Sequence, residues 1–185
     1  MDAQNSLFEQ LKAVCADDWK RYTHHDFVAR IGDGTLPERA FRHYLIQDYL
    51  FLIQFARAYA LAVYKSETLA DMRQAGAGMS AILDTEMALH VEFCREWGLS
   101  EADIETAPEA SACMAYTRFV LERGMSGDLL DLHIALAPCI VGYAEIGTRL
   151  ASNTVTSIEG NPYLPWIEMY ASSEYQDVAA GEISF

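Results

Sequence analysis

The twenty residues from Tyr44 to Val63 are almost wholly apolar, yet Gln47, Asp48, Gln54 and Arg57 interrupt them. The run has about the length of a membrane span, but an Asp and an Arg near its centre would each cost about 3 kcal/mol in lipid. A helix that is apolar on nearly every side and carries a few polar groups belongs instead at the centre of a soluble bundle. That reading sets aside a membrane role and makes this segment the spine of the fold.

The remaining punctuation is helical too. Leu7, Leu11, Val14, Cys15 and Trp19 recur at helical spacing in a segment from about Asn5 to Ala29, ahead of an Ile31-Gly32-Asp33-Gly34 turn. Thr35 with Glu38 forms a capping-box pattern, with Pro37 suited to a first helical turn, and the second helix runs to about Lys65. Ser66 is a candidate cap for a third helix ending at Trp97, where Gly98 stands in the terminating position. An acidic loop from Ser100 to Glu109 follows, then a fourth helix over Ala110–Arg123 that stops at Gly124. A fifth runs from Gly127 to Leu150 with Pro138 inside it, and a sixth starts near Leu164 after Asn161-Pro162. No hairpin signal, internal repeat or low-complexity tract is present, so the expected fold is all-α, a single-domain helical bundle spanning residues 1–185. Apolar faces this wide also predict a homo-oligomer.

The net charge of −14 repels phosphate backbones and anionic lipid, which argues against nucleic-acid and membrane-surface partners. Cys15, Cys94, Cys113 and Cys139 show neither a CxxC pair nor zinc-finger spacing, and Met1–Gln10 lacks the features of a signal peptide. Reduced thiols in a cytoplasm are the expectation.

Three constellations carry possible chemistry. In segment five Pro138 removes a backbone hydrogen bond and crowds the preceding turn; Cys139 follows it directly, and Tyr143 lies one turn on, on the same face. Gly142 and Gly147 would admit a close neighbour or a ligand. A kinked core helix with an inert buried thiol explains the same residues. In segment two Tyr44, Asp48, Phe51 and Phe55 form one stripe. A carboxylate there needs a partner; it recognises a cationic or amino-bearing ligand, or it is held by Arg57 or a tyrosine hydroxyl. Glu86 and His90 share a face and are either metal ligands or packing and hydrogen-bonding groups, the pair alone being too little for a di-iron site. His24-His25 offers a haem ligand or an ordinary end-of-helix histidine.

Several blocks together resemble the TenA/thiaminase II family. They are residues Phe27–Pro37, Phe41-Arg42-His43-Tyr44-Leu45-Ile46-Gln47-Asp48-Tyr49, Glu86-Met87-Ala88-Leu89-His90, Leu136-Ala137-Pro138-Cys139 with Tyr143 and Ile146-Gly147, and Asn161-Pro162 with Trp166 and Tyr170. They cover essentially the whole chain in order. The resemblance implies a haem-oxygenase-like helical bundle, a homotetramer, no cofactor and no metal. It implies an aminopyrimidine aminohydrolase, or thiaminase II, that acts on 4-amino-5-aminomethyl-2-methylpyrimidine or thiamine to give hydroxymethylpyrimidine for thiamine salvage. By the same resemblance Cys139 is the nucleophile, Asp48 binds and polarises the aminopyrimidine, and Tyr116, Tyr143 and Tyr170 are site tyrosines, with Tyr143 placed to hydrogen-bond the thiol. Phe51 stands at an aromatic substrate-binding position that is often tyrosine.

The family pattern continues into a further helix carrying a general acid/base glutamate. This sequence ends at Phe185 without that helix, and neither Glu174 nor Glu182 matches the motif. Two other classes stay in play: a regulatory or ligand-binding protein without hydrolase activity, and a metal- or haem-dependent oxygenase using Glu86, His90 and His25 or His133.

Overall fold

The structure, a computed structural model, describes residues 6–96, 98–152 and 160–184. Among the described residues it is helical with no strand, and they fall into two compact units, Met1–Leu36 with Leu136–Phe185, and Pro37–Ala135. Asn5 and Trp97, at two expected helix ends, and most of the loop before Asn161 lie outside the described residues.

The mid-chain unit is built on α4 (Glu38–Lys65), the spine expected from the sequence. Phe41, Leu45, Tyr49, Leu52, Phe55, Tyr59 and Ala62 are buried along it, and α5 (Leu69–Ala81), α6 (Met87–Glu96), α7 (Glu101–Glu105) and α8 (Ser111–Ser126) pack against it. A π-helical turn, Ile82–Glu86, joins α5 to α6, so the expected third helix is continuous in direction but not in hydrogen bonding.

Several local expectations are corrected here. The Thr35–Glu38 box does not form, because the Thr35 hydroxyl and N–H both donate to Asp33 Oδ1, at 2.6 and 2.9 Å; Pro37 is the N-cap of α4. Ser66 closes α4 instead of opening α5, its hydroxyl donating to the Ala62 carbonyl at 2.7 Å, and Thr68 is the cap that accepts the Asp71 N–H. The acidic stretch is not all loop. Ser100 and Asp103 form a reciprocal capping box that starts α7, and the buried Tyr49 hydroxyl ties this helix to α4 through Glu101 at 3.2 Å. α8 runs through Gly124, where a Cβ would sit 2.9 Å from Leu132 and 3.1 Å from Leu61, so this glycine serves packing and not termination.

The terminal unit holds α1 (Leu7–Val14), α2 (Ala16–Thr23), α3 (Asp26–Gly32), α10 (Leu164–Ala171) and α11 (Ser173–Ser184), with the larger part of α9 (Leu129–Ser152). The single N-terminal segment is thus three helices. Its second break comes at His25, whose Nδ1 accepts the Phe27 N–H at 3.1 Å and caps α3. The expected sixth helix is two, parted at Ser172, whose hydroxyl accepts the Tyr175 N–H. Asn161 is a buried staple: its Nδ2 donates to the Ile31 and Gly32 carbonyls, and its Oδ1 accepts the Tyr163 N–H. α9 is long and apolar enough to cross a membrane by length and composition, with a mean hydropathy of 1.5, but half of that stretch is buried inside the protein.

Candidate functional site

In the mid-chain unit, Asp48 on α4 is the centre of a polar cluster set in apolar surroundings. His90 Nε2 lies 2.7 Å from Asp48 Oδ2, and the Tyr44 hydroxyl donates to the same oxygen at 3.1 Å. Both residues of the His–Asp pair are nearly inaccessible, their side chains 3% and 11% exposed. His90 Nδ1 in turn lies 2.8 Å from the carbonyl oxygen of Glu86, the last residue of the π turn. Burial opposes charge on His90, but the hydrogen bond and charge of Asp48 and the Glu86 carbonyl outweigh it and raise its pKa. The Glu86 carboxyl is pushed up to about 7, first by burial and then by the charge of Asp48.

Arg57 is not the partner of Asp48. Its guanidinium donates to Gln54 Oε1 at 2.8 Å. Both imidazole nitrogens of His90 lie at hydrogen-bond distance from oxygen atoms, and among the described residues no three His, Cys, Asp or Glu side chains gather as a metal site needs. His25, spent as a helix cap, has its Nδ1 turned inward.

Phe51, one turn beyond Asp48, stacks on Tyr116 of α8 with the ring planes 6° apart and the centroids 5.8 Å apart. The Tyr116 hydroxyl donates to the Ala135 carbonyl at 2.8 Å, so this site tyrosine also anchors backbone. Gln47, beside Asp48, holds the start of α8: its Oε1 accepts the Ala110 N–H at 2.7 Å and its Nε2 donates to the Pro108 carbonyl at 3.1 Å. The Cys113 thiol nearby is pushed up to about 11, by burial first and by the charges of Glu109 and Asp48 second. Burial also raises the Cys94 thiol. Neither suits nucleophilic work.

In the terminal unit, Cys139 is half-buried on α9, which continues helically through Pro138. One turn further along the helix begins an aromatic cluster. Tyr143 packs edge-on against Tyr170 at 4.7 Å and lies 5.9 Å from Trp166, and Tyr170 meets Tyr175 edge-on at 4.8 Å. Two tyrosines not singled out in the sequence tie the backbone at the thiol: the Tyr22 hydroxyl donates to the Pro138 carbonyl at 2.9 Å and the Tyr175 hydroxyl to the Cys139 carbonyl at 3.3 Å. The glycines of α9 admit protein neighbours. Gly142 makes room for the Tyr22 ring, and Gly147 for the backbone of Tyr170. Glu145 on the same helix accepts from Lys12 Nζ at 2.7 Å and from the Trp19 indole at 3.0 Å, clamping the N-terminal helices onto α9.

The six site residues expected from the sequence therefore form two groups: Asp48, Phe51 and Tyr116 in the mid-chain unit, and Cys139, Tyr143 and Tyr170 in the terminal one. His90 as the partner of Asp48 went unassigned in the sequence. Its signal was the Glu86–His90 spacing, which reads equally well as metal-binding.

Helical elements throughout, a carboxylate paired with a histidine on the spine helix and a half-buried cysteine on another are the features these two units present. Residues 14–182 match the TENA/THI-4/PQQC family, and the chain belongs to it. An uncharacterized protein of Haemophilus influenzae is 42% identical over 97% of this chain and 82% of its own length. The aminopyrimidine aminohydrolase of Halalkalibacterium halodurans is 35% identical over 94% of this chain and 75% of its own. The crystal structure of a TenA family transcription regulator from a Silicibacter species superposes with a TM-score of 0.87 at 45% identity, covering 96% of this chain and 77% of that one. The all-α fold expected from the sequence is the fold of this solved relative.

Proposed function

We propose that this chain is an aminopyrimidine aminohydrolase of the thiaminase II type, a hydrolase acting on C–N bonds in thiamine metabolism. The observation that carries the reading is the near end-to-end match to a relative bearing that name, at 35% identity. The buried Asp48 and the half-buried Cys139 are the chemistry such a reaction needs. In the proposed mechanism Cys139, as thiolate, adds to the pyrimidine ring of 4-amino-5-aminomethyl-2-methylpyrimidine or thiamine. The added electron pair moves toward the exocyclic methylene and expels ammonia, after protonation of the amine, or the thiazole. Water then adds to the methylene and gives up a proton, and the ring expels the thiolate to leave hydroxymethylpyrimidine. Asp48 binds the aminopyrimidine edge and supports the charge that develops there. Phe51, Tyr116, Tyr143 and Tyr170 supply aromatic surface for the ring.

The chain acts as one domain of a homotetramer, soluble and cytoplasmic, with no cofactor and no nucleic-acid partner. The regulator named among its solved relatives supports a second reading, but a net charge of −14 disfavours duplex DNA. Ammonia release and hydroxymethylpyrimidine formation by the purified protein, followed by chromatography, test the proposal. Parent protein should turn over the aminopyrimidine, and Cys139→Ser should lose at least about 10³-fold in rate. Equal rates in the two proteins would refute the cysteine mechanism, and no product from the parent would refute the function.

A further inference from the structure

Both nitrogens of His90 face acceptors. Nδ1 points at the Glu86 carbonyl oxygen, which can only accept, so this nitrogen carries a proton. Between Nε2 and Asp48 Oδ2, at 2.7 Å, a second proton is required, because two lone pairs would otherwise face each other. The Tyr44 hydroxyl donates to the same Oδ2. An oxygen that already accepts one O–H is better ionised than protonated, which places the second proton on nitrogen. Asp48 Oδ1, by contrast, accepts from no group among the described residues.

We infer that His90 is a positioning residue: as an imidazolium between the Glu86 backbone and Asp48 Oδ2, it fixes the carboxylate so that Oδ1 is the one acceptor offered to an N–H of the pyrimidine. This rests on the aminopyrimidine reading above. The titratable groups facing Asp48 are Tyr44 on its own helix, His90 on α6, Glu86 on the π turn and Cys113 on α8. Because the His90–Asp48 pair is neutral as a whole, the site accepts a neutral aminopyrimidine without needing a cation. A histidine that served only packing would have no reason to keep both protons.

Long-range ¹H–¹⁵N correlation spectra of the ¹⁵N-labelled protein read the imidazole directly. At pH 8 both nitrogens of His90 should still be protonated. A His90 ring that has lost either proton at pH 8 would overturn the inference. Kinetics provide the second arm. Gln keeps a donor where Nε2 stands, whereas Leu keeps none. His90→Leu should raise KM for 4-amino-5-aminomethyl-2-methylpyrimidine by about tenfold, the scale of one charge-assisted hydrogen bond, and His90→Gln should recover most of that loss with an altered pH profile. Equal KM values in the Gln and Leu variants would overturn the positioning role. Absence of turnover in the parent protein would instead defeat the aminopyrimidine reading, and the spectra would still decide the state of His90.

Discussion

Glu86→Gln should make the protein more stable above neutral pH, although it removes an acidic side chain from a site that the proposed enzyme uses. The Glu86 carboxyl stands at about 7 against an ordinary 4.5 because it is buried and faces the charge of Asp48. Between those two pH values the folded protein holds a proton that the unfolded chain has released. Stability from this group is therefore complete below pH 4.5 and falls as pH rises through 7. At about 1.4 kcal/mol per pH unit, the full rise corresponds to about 3 kcal/mol. Glu86 is only half-buried by accessible area, and water screening reduces this to roughly 1–2 kcal/mol. His90, also raised, adds to the fall with the same sign. Gln matches the protonated carboxyl in shape and cannot ionise, and the carbonyl that holds His90 is backbone and survives the change. Urea unfolding at pH 5 and pH 8 measures the effect. The variant should equal the parent at pH 5 and exceed it by roughly 1–2 kcal/mol at pH 8. A variant no more stable than the parent at pH 8 would show that Glu86 is not held protonated by its surroundings.

Further outcomes follow from the packing. Asn161→Ala leaves the Ile31 and Gly32 carbonyls and the Tyr163 N–H without their buried partner, and should cost about 3 kcal/mol in urea unfolding, roughly 1 kcal/mol per bond. Gly147→Ala places a Cβ 2.5 Å from the Tyr170 carbonyl carbon, backbone that cannot swing aside, and should destabilise by about 3 kcal/mol as judged by the unfolding midpoint. In the folded protein at pH 7.5, iodoacetamide followed by peptide mass spectrometry should find the exposed Cys15 modified and Cys113, whose thiol stands at about 11, protected.

The sequence disclosed the spine helix and the order of the main helices, because those features rest on hydrophobic period and on signals local in the chain, whereas the six candidate site residues came from the family resemblance. It did not disclose who holds whom. The Thr35–Glu38 pattern was a sound capping box that lost to Asp33, a competitor two residues away. α7 was hidden by its acidity, although Ser100 and Asp103 carried the signal. Gly124 read as a helix stop, and its packing against Leu61 and Leu132 is long-range information that no local pattern holds. The spacing of Glu86 and His90 was legible, but its meaning depended on Asp48, 42 residues away in the chain.

The polar residues that interrupt Tyr44–Val63 single out the site more sharply than the family blocks do. Each polar group on a buried spine helix must be satisfied. Gln47 is satisfied by the start of α8. Gln54 and Arg57 satisfy each other toward the surface. Asp48 takes Tyr44 and His90 on one oxygen, and no group among the described residues donates to the other. One turn along the same helix Phe51 stacks on Tyr116, and aromatic surface together with a carboxylate suits the flat, amino-bearing substrate proposed above. Of the four residues that argue against a membrane span, Asp48 is thus the one left to hold the aminopyrimidine edge while Cys139 attacks in the proposed mechanism.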